Sequence, residues 1–206
     1  AAYRLKQQLV NNMSEQTSQS ERDEFREYCQ RWLEENRPPP TKIPLPQNAY
    51  EVTFHDHRTY LCDWQAKCYE AQLIGTDVPQ DYGGHGHTEF QAIASAEVRK
   101  ANVPYFINWI GLGMTAPTLL IHGTEEQKKR FLPPIFSAEE IWCQGFSEPG
   151  AGSDLVSLQT SAIKDGDNWI INGSKVWTSL GAISSWMLLL ARNDKDDKYN
   201  GCLLYT

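Results

Sequence analysis

Near residue 140 the sequence changes its period. Upstream, apolar residues recur at helical spacing: Phe25, Tyr28, Trp32 and Leu33 in one run, Leu61, Trp64, Cys68 and Ala71 in another. Downstream, alternation and short apolar runs appear, bounded by Gly, Asn and Asp, as in strands. A block of helices followed by a block of strands specifies an α+β chain, with the helices segregated from the sheet. The expectation is an N-terminal all-α helical domain over 20–139, followed by an antiparallel β-barrel or sheet domain over 140–206. Residues 1–19 are polar and read as a tail or an extra helix.

The element boundaries follow from local chemistry. Ser18 or Ser20 can cap the first helix, which stops at Pro38-Pro39-Pro40, and residues 38–50 form a proline-rich connector. A second helix is expected over about 56–74, ended by Gly75, then a glycine-containing loop from Asp77 to Gly86, and a third helix over about 88–101. From Ala101 to Thr124 there is no Asp, Glu, Lys or Arg. Asn102, Pro104, Asn108 and Pro117 argue for a buried core helix there, against a membrane span. Thr124 and Gln127 form a capping box, Glu125 and Glu126 meet the positive end of the next helix, and Pro133 should follow its end. Strands are expected at Ile141–Ser147, Leu158–Lys164, Trp169–Ile171 and Trp186–Ala191. Asp165-Gly166 is a turn signal, and Asn172-Gly173 is a hairpin dipeptide that should return the chain through Val176–Ser179.

Composition excludes some function classes. The 206 residues carry a net charge of −7, the opposite of the basic footprint nucleic acid requires. The five cysteines are odd in number and contain no C-x-x-C pair, which favours reduced thiols inside a cell. No basic-then-apolar leader opens the chain. It does not begin with Met and stops on a strand-like run at Cys202–Thr206, so a fragment of something longer is expected.

The run Trp142 to Asp154, WCQGFSEPGAGSD, begins as a buried strand, breaks at Glu148-Pro149 and continues as nearly bare backbone. It is not a P-loop, because no Gly-Lys-Ser/Thr follows the glycines. It is not a dinucleotide fingerprint either: Gly150 and Gly152 give G-x-G, but the third glycine position is Leu155. What remains is a strand end presenting N–H groups, with the hydroxyls of Ser147 and Ser153 nearby. A partner segment, Lys175-Val-Trp-Thr-Ser179, offers a flat indole and two further hydroxyls. A planar aromatic ligand edged by polar atoms would suit both. The alternative is a tight corner in which Asp154 bonds local backbone.

Gly145 to Asp154, followed by Ser157, resembles the first signature of the acyl-CoA dehydrogenases. Pro79–Gly86, Gly123–Phe131 and Asn172–Ser179 fall in that family's order, and the likeness covers roughly residues 20–200. Phe146 departs from it, because the family usually has an aliphatic residue there. The resemblance implies an N-terminal helical domain, a middle β-domain and a C-terminal helical bundle, of which this chain would hold the first and about half of the second. It implies FAD as cofactor, with Gln144, Gly145, Phe146, Ser147 and Gly152 along the isoalloxazine and Trp177, Thr178 and Ser179 against its ring and N5 region. Ser153 would meet the acyl-CoA carrier, and Phe106, Ile107 and Ile110 either line the acyl pocket or pack the core. The implied reaction is α,β-dehydrogenation of an acyl-CoA, with electrons passing to an electron-transferring flavoprotein. The base would lie beyond residue 206. The subunit would assemble into an oligomer, a homotetramer in relatives, located in the bacterial cytoplasm or the mitochondrial matrix. An acyl-CoA oxidase or flavin monooxygenase on the same scaffold, or an inert binding or assembly module, are the rival readings.

Other polar residues read as structural. Glu148 looks like part of the motif's framework. His55-Asp-His57 lacks a third ligand and reads as a solvated helix start, His85 and His87 as a surface loop, His122 as local to a helix cap. Cys143 reads as an inert buried thiol, and Asp194–Lys198 as an exposed hairpin tip.

Overall fold

The computed structural model describes residues 18–87 and 89–194, and the backbone of 202–205. The polar segment before residue 18 and the Lys195–Lys198 part of the expected tip lie outside the described residues. The helical lobe contains α1 (Gln19–Glu35), α2 (His55–Glu70), α3 (Phe90–Lys100), a π-helical turn (Gly111–Thr115) running into α4 (Ala116–His122), and α5 (Glu125–Ser137). The sheet lobe contains β1 (Trp142–Gly145), β2 (Ser161–Asp165), β3 (Asn168–Asn172), β4 (Trp186–Arg192) and β5 (Cys202–Tyr205).

The capping box expected at Thr124 forms, and the cap expected at Ser18 or Ser20 is Ser18, which proves to be a full box with Glu21. At α1 the Ser18 hydroxyl accepts the Glu21 N–H at 3.2 Å and the Glu21 carboxylate accepts the Ser18 N–H at 2.7 Å. At α5 Thr124 and Gln127 do the same at 3.2 and 2.9 Å. Each box satisfies donors that the first helical turn leaves without a partner. The other end of α5 differs from expectation: Pro133 and Pro134 lie inside the helix, which continues to Ser137. Leu132, Ile135 and Phe136 are buried on that last turn, so core packing overrides the local preference of proline to end a helix. In the uncharged stretch, residues 103–106 are irregular and helix begins only at Trp109. Among the described residues no helix is long and apolar enough to cross a membrane.

The sheet is mixed, which corrects the antiparallel expectation. β1 runs parallel to β4, with Trp142 opposite Trp186 and Gly145 opposite Leu189. β2 meets β4 in parallel at Ser161 and Arg192, and β5 lies antiparallel along Leu189–Arg192. Leu189 and Arg192 each have β5 on one side, so β1 and β2 follow one another along the opposite edge of β4. The hairpin is β2–β3, closed across Asp165 and Asn168, with Gly166 at φ +60°. The hairpin expected at Asn172-Gly173 does not form, and residues 173–179 pair with no strand. A Cβ on Gly173 would lie 2.3 Å from the Thr160 hydroxyl, so the glycine answers a close approach between segments rather than a turn.

The two lobes share one core. Trp142 and Cys143 of β1 and Leu180 belong to the same buried cluster as Leu61, Trp64, Leu132 and Ile135. Trp142 stacks on Trp186 with ring centroids 5.9 Å apart, and Phe131 of α5 meets both rings edge-on. A polar bracket completes the junction. The buried Asn108 side chain donates to the carbonyls of Ile135 (3.1 Å) and Glu140 (2.9 Å) and accepts the Trp142 N–H (3.0 Å). Its own N–H donates to the buried Gln65 side chain, which donates in turn to Ile135 and Phe136.

Candidate functional site at the end of β1

β1 delivers a bare corner. Beyond Gly145 the chain turns over Glu148–Ala151: the Ala151 N–H donates to the Glu148 carbonyl at 3.1 Å, and the Glu148 N–H returns to the Ala151 carbonyl at 2.7 Å. Pro149 at the second position pre-sets the turn. Gly152, Ser153 and Asp154 are exposed. Asp154 is engaged locally, accepting the Ser157 hydroxyl while its carbonyl takes the Ser157 N–H. A Cβ on Gly150 or Gly152 would meet nothing within 4 Å, so among the described residues no side chain packs against these two positions.

The second segment comes alongside. The Val176 N–H donates to the Ser147 carbonyl at 2.9 Å, bringing Trp177, Thr178 and Ser179 next to the strand end that holds Gln144, Gly145 and Phe146. Trp177 has φ +56° and is 88% exposed, the most solvent-open large apolar residue among the described residues. A left-handed backbone at a bulky residue costs about 1–3 kcal/mol. Thr178 and Ser179 are half-buried, and with Leu180–Ile183 and the Ala49–Val52 turn they line a shallow cavity of about 310 Å³.

Glu148 sits beneath the corner and is 8% exposed. Its carboxylate takes the Lys175 ammonium (2.8 Å) and the N–H groups of Gln159 (2.6 Å) and Thr160 (2.8 Å). Burial pushes this carboxyl up, but Lys175 and the two N–H donors outweigh it and hold it at about 2. It is therefore ionised and committed to the framework. Arg192, also buried, donates to the carbonyls of Val156 and Leu158 and fixes the loop that follows.

Of the residues expected at an acyl group, Phe106 lines a cavity of about 730 Å³ between α3, the π-turn and the 74–78 loop, together with Tyr105, Trp109, Leu112, Ala116 and Leu120. Ile107 and Ile110 are fully buried in the shared core and do not reach that lining. Ser153 stands exposed on the corner. The reading of a solvated His55–His57 needs correction at one residue: His57 is 4% exposed and its Nε2 lies 3.0 Å from the Ile43 carbonyl, because the connector folds over it. Cys143 is buried. Among the described residues no group of His, Cys, Asp and Glu could hold a metal. Sequence reasoning missed Lys175 as the buried cation of the corner. The available signal was a lone positive charge within the otherwise uncharged run Asn168–Trp186.

Residues 19–139 match the family profile "Acyl-CoA dehydrogenase, N-terminal domain", and residues 143–205 match "Acyl-CoA dehydrogenase, middle domain". The chain belongs to the acyl-CoA dehydrogenase family, whose members are FAD flavoproteins of fatty acid and lipid metabolism. It is 38% identical over 188 residues to the acyl-CoA dehydrogenase IpdE1 of Mycobacterium tuberculosis, covering 89% of this chain and 48% of that protein. The crystal structure of the ChsE4–ChsE5 complex from Mycobacterium tuberculosis superposes with a TM-score of 0.66 at 26% identity, over 93% of this chain and 47% of that one. The prolyl acyl carrier protein oxidase AnaB superposes with a TM-score of 0.65 at 27% identity, over 92% and 48%. The chain thus spans about half the length of the relatives it matches.

Proposed function

We propose that this chain forms the N-terminal part of an FAD-dependent acyl-CoA dehydrogenase that converts an acyl-CoA to its trans-2-enoyl-CoA. The observation carrying this reading is the Val176–Ser147 hydrogen bond, which sets an exposed, strained indole beside the corner that follows β1, where a Cβ on Gly150 or Gly152 would meet nothing within 4 Å. These residues fit a flat aromatic cofactor: an indole kept in water and in a left-handed conformation gains what it lacks when a ring covers it. Gln144, Gly145, Phe146 and Ser147 would run along the isoalloxazine, with Ser147 bonding its polar edge. Trp177 would pack its face, and Thr178 and Ser179 would supply hydroxyls. Gly152 and Ser153 would leave room for the cofactor and the CoA carrier, and Phe106 would meet the acyl group. FAD, when bound, supplies the acceptor for the hydride lost from the β-carbon. Hydrogen bonds from the site to the thioester carbonyl would strengthen as enolate character grows. Glu148 does not act as the α-proton base, because its carboxylate is buried under three donors. The base, the oligomeric contacts and the docking of an electron-transferring flavoprotein are assigned to the remainder of the protein.

The similarity to AnaB keeps an oxidase on the same scaffold as the second reading. The test is the visible spectrum of the whole polypeptide carrying this sequence, after addition and removal of excess FAD. A retained, resolved flavin band is expected, weakened by Trp177→Ala far more than by Trp32→Ala. Equal retention in the two variants refutes the ring-packing role. Oxygen consumption by the substrate-reduced protein separates oxidase from dehydrogenase.

A further inference from the structure

We infer that the buried Lys175–Glu148 ion pair is the positioning element that sets Trp177 in the site, an inference resting on the flavin reading above. The geometry is specific. The side chains of Lys175 and Glu148 are 7% and 6% exposed. Lys175 Nζ bonds the Phe146 carbonyl (2.9 Å) and the Glu148 carboxylate (2.8 Å), the residues on either side of Ser147. The Ser147 carbonyl takes the Val176 N–H. The dipeptide 175–176 is therefore held to three successive residues of the corner. Glu148 is itself anchored by the N–H groups of Gln159 and Thr160, so one carboxylate gathers three separated segments.

Trp177 has no comparable hold of its own. Its side chain is 88% exposed, and the chain beyond it is held by the turn in which the Gly181 N–H bonds the Thr178 carbonyl (2.9 Å) and by the buried Leu180. Its left-handed backbone persists because its neighbours are fixed. A buried ion pair is a poor way to gain stability, since apolar substitutes of similar volume are often neutral or better. What it provides here is one discrete placement of residues 175–176, and so of the indole that follows.

The test labels the protein with 5-fluorotryptophan and assigns the Trp177 signal through Trp177→Phe. With cofactor removed, Lys175→Met is expected to shift or split the Trp177 resonance while Trp32 and Trp64 resonances stay in place. FAD affinity should fall at least tenfold, and by under threefold when Lys175→Met is made in a Trp177→Ala background. Lys175→Arg, which keeps the charge with a different reach, should fold, displace the Trp177 resonance and weaken FAD. An unmoved Trp177 signal in a folded Lys175 variant overturns the inference, as do independent losses in the double variant. If Lys175→Met fails to fold, the Lys175→Arg resonance decides. Wild-type protein that never retains FAD defeats the flavin reading instead, and the fluorine signals still judge the positioning role.

Discussion

Replacing Asn108 by Ala tests whether one side chain joins the lobes. The substitution removes the acceptor of the buried Trp142 N–H and the donors to the Ile135 and Glu140 carbonyls. A buried N–H left without a partner costs about 1–3 kcal/mol. The Glu140 carbonyl loses its bond from Asn108, adding about 1 kcal/mol, whereas Ile135 keeps Gln65 and loses less. The vacated volume adds about 1 kcal/mol. The sum is about 3–5 kcal/mol, a large part of the roughly 5–15 kcal/mol that holds an ordinary domain together. Urea unfolding followed by tryptophan fluorescence measures it, because Trp142 and Trp186 stack at the junction. Asn108→Asp is the sharper control. It keeps an acceptor for Trp142 but turns a carboxylate toward two carbonyls, so at neutral pH it should be at least as damaging as Ala. Its folded pKa is then raised, so the penalty should shrink as pH falls and the carboxyl regains a proton to donate. A loss below 1 kcal/mol for Asn108→Ala, or a benign Asn108→Asp, refutes the bracket.

Glycines of this chain should divide by what surrounds them. Gly173→Ala, whose Cβ would lie 2.6 Å from the Thr160 backbone, should cost about 1–3 kcal/mol in urea unfolding. Gly152→Ala, which meets open space, should stay within about 0.5 kcal/mol yet weaken FAD or CoA binding measured by titration. Glu148 predicts a pH dependence: its carboxyl is depressed from 4.5 to about 2, so its contribution of about 3 kcal/mol is complete above pH 4.5 and lost as pH falls toward 2. The unfolding free energy of Glu148→Gln should be lower at pH 7 and flatter over that window. Among the described cysteines, Cys62 is the half-buried one and should react first with a thiol reagent, ahead of Cys68 and of Cys29, whose thiol burial pushes up to about 12.

The helical lobe was legible because its signals are local. Ser18 and Glu21, or Thr124 and Gln127, are three residues apart, and their bonds depend on little else. The misreadings came where a distant contact outranks a local rule. Pro133 reads as a stop, but Ile135 and Phe136 need the next turn to reach the core. Asn172-Gly173 reads as a hairpin, but Gly173 is small because Thr160 passes over it. Strand direction was invisible for the same reason: β1 finds its partner forty residues later in β4, and nothing between them encodes whether they run parallel. At the site, the corner and the Trp177 segment were each identifiable from residue type. Their junction depends on Lys175, whose partners Phe146 and Glu148 lie 29 and 27 positions away.

β1 is held at both ends by groups from elsewhere in the chain, and this ties the two sides of the site together. At its entry the Trp142 N–H rests on Asn108. At its exit the carbonyls of Phe146 and Ser147 take Lys175 and Val176. Between lie four strand residues, a rigid ruler of about 13 Å at roughly 3.3 Å per residue. Asn108 is followed by Trp109 and lies two residues after Phe106, both of which line the cavity proposed for the acyl group. The proposed acyl side and the proposed cofactor side are thereby indexed to one buried amide, bonded to the sheet through the Trp142 N–H. Apolar packing alone would tolerate small slides of one lobe against the other. A substrate that must present a particular carbon to a cofactor ring does not tolerate them, because an ångström of misplacement can cost about a hundredfold in rate. A satisfied polar bracket beneath a site is the arrangement such a reaction needs, and it gives a reason for the fully buried Gln65 and Asn108 within an apolar core.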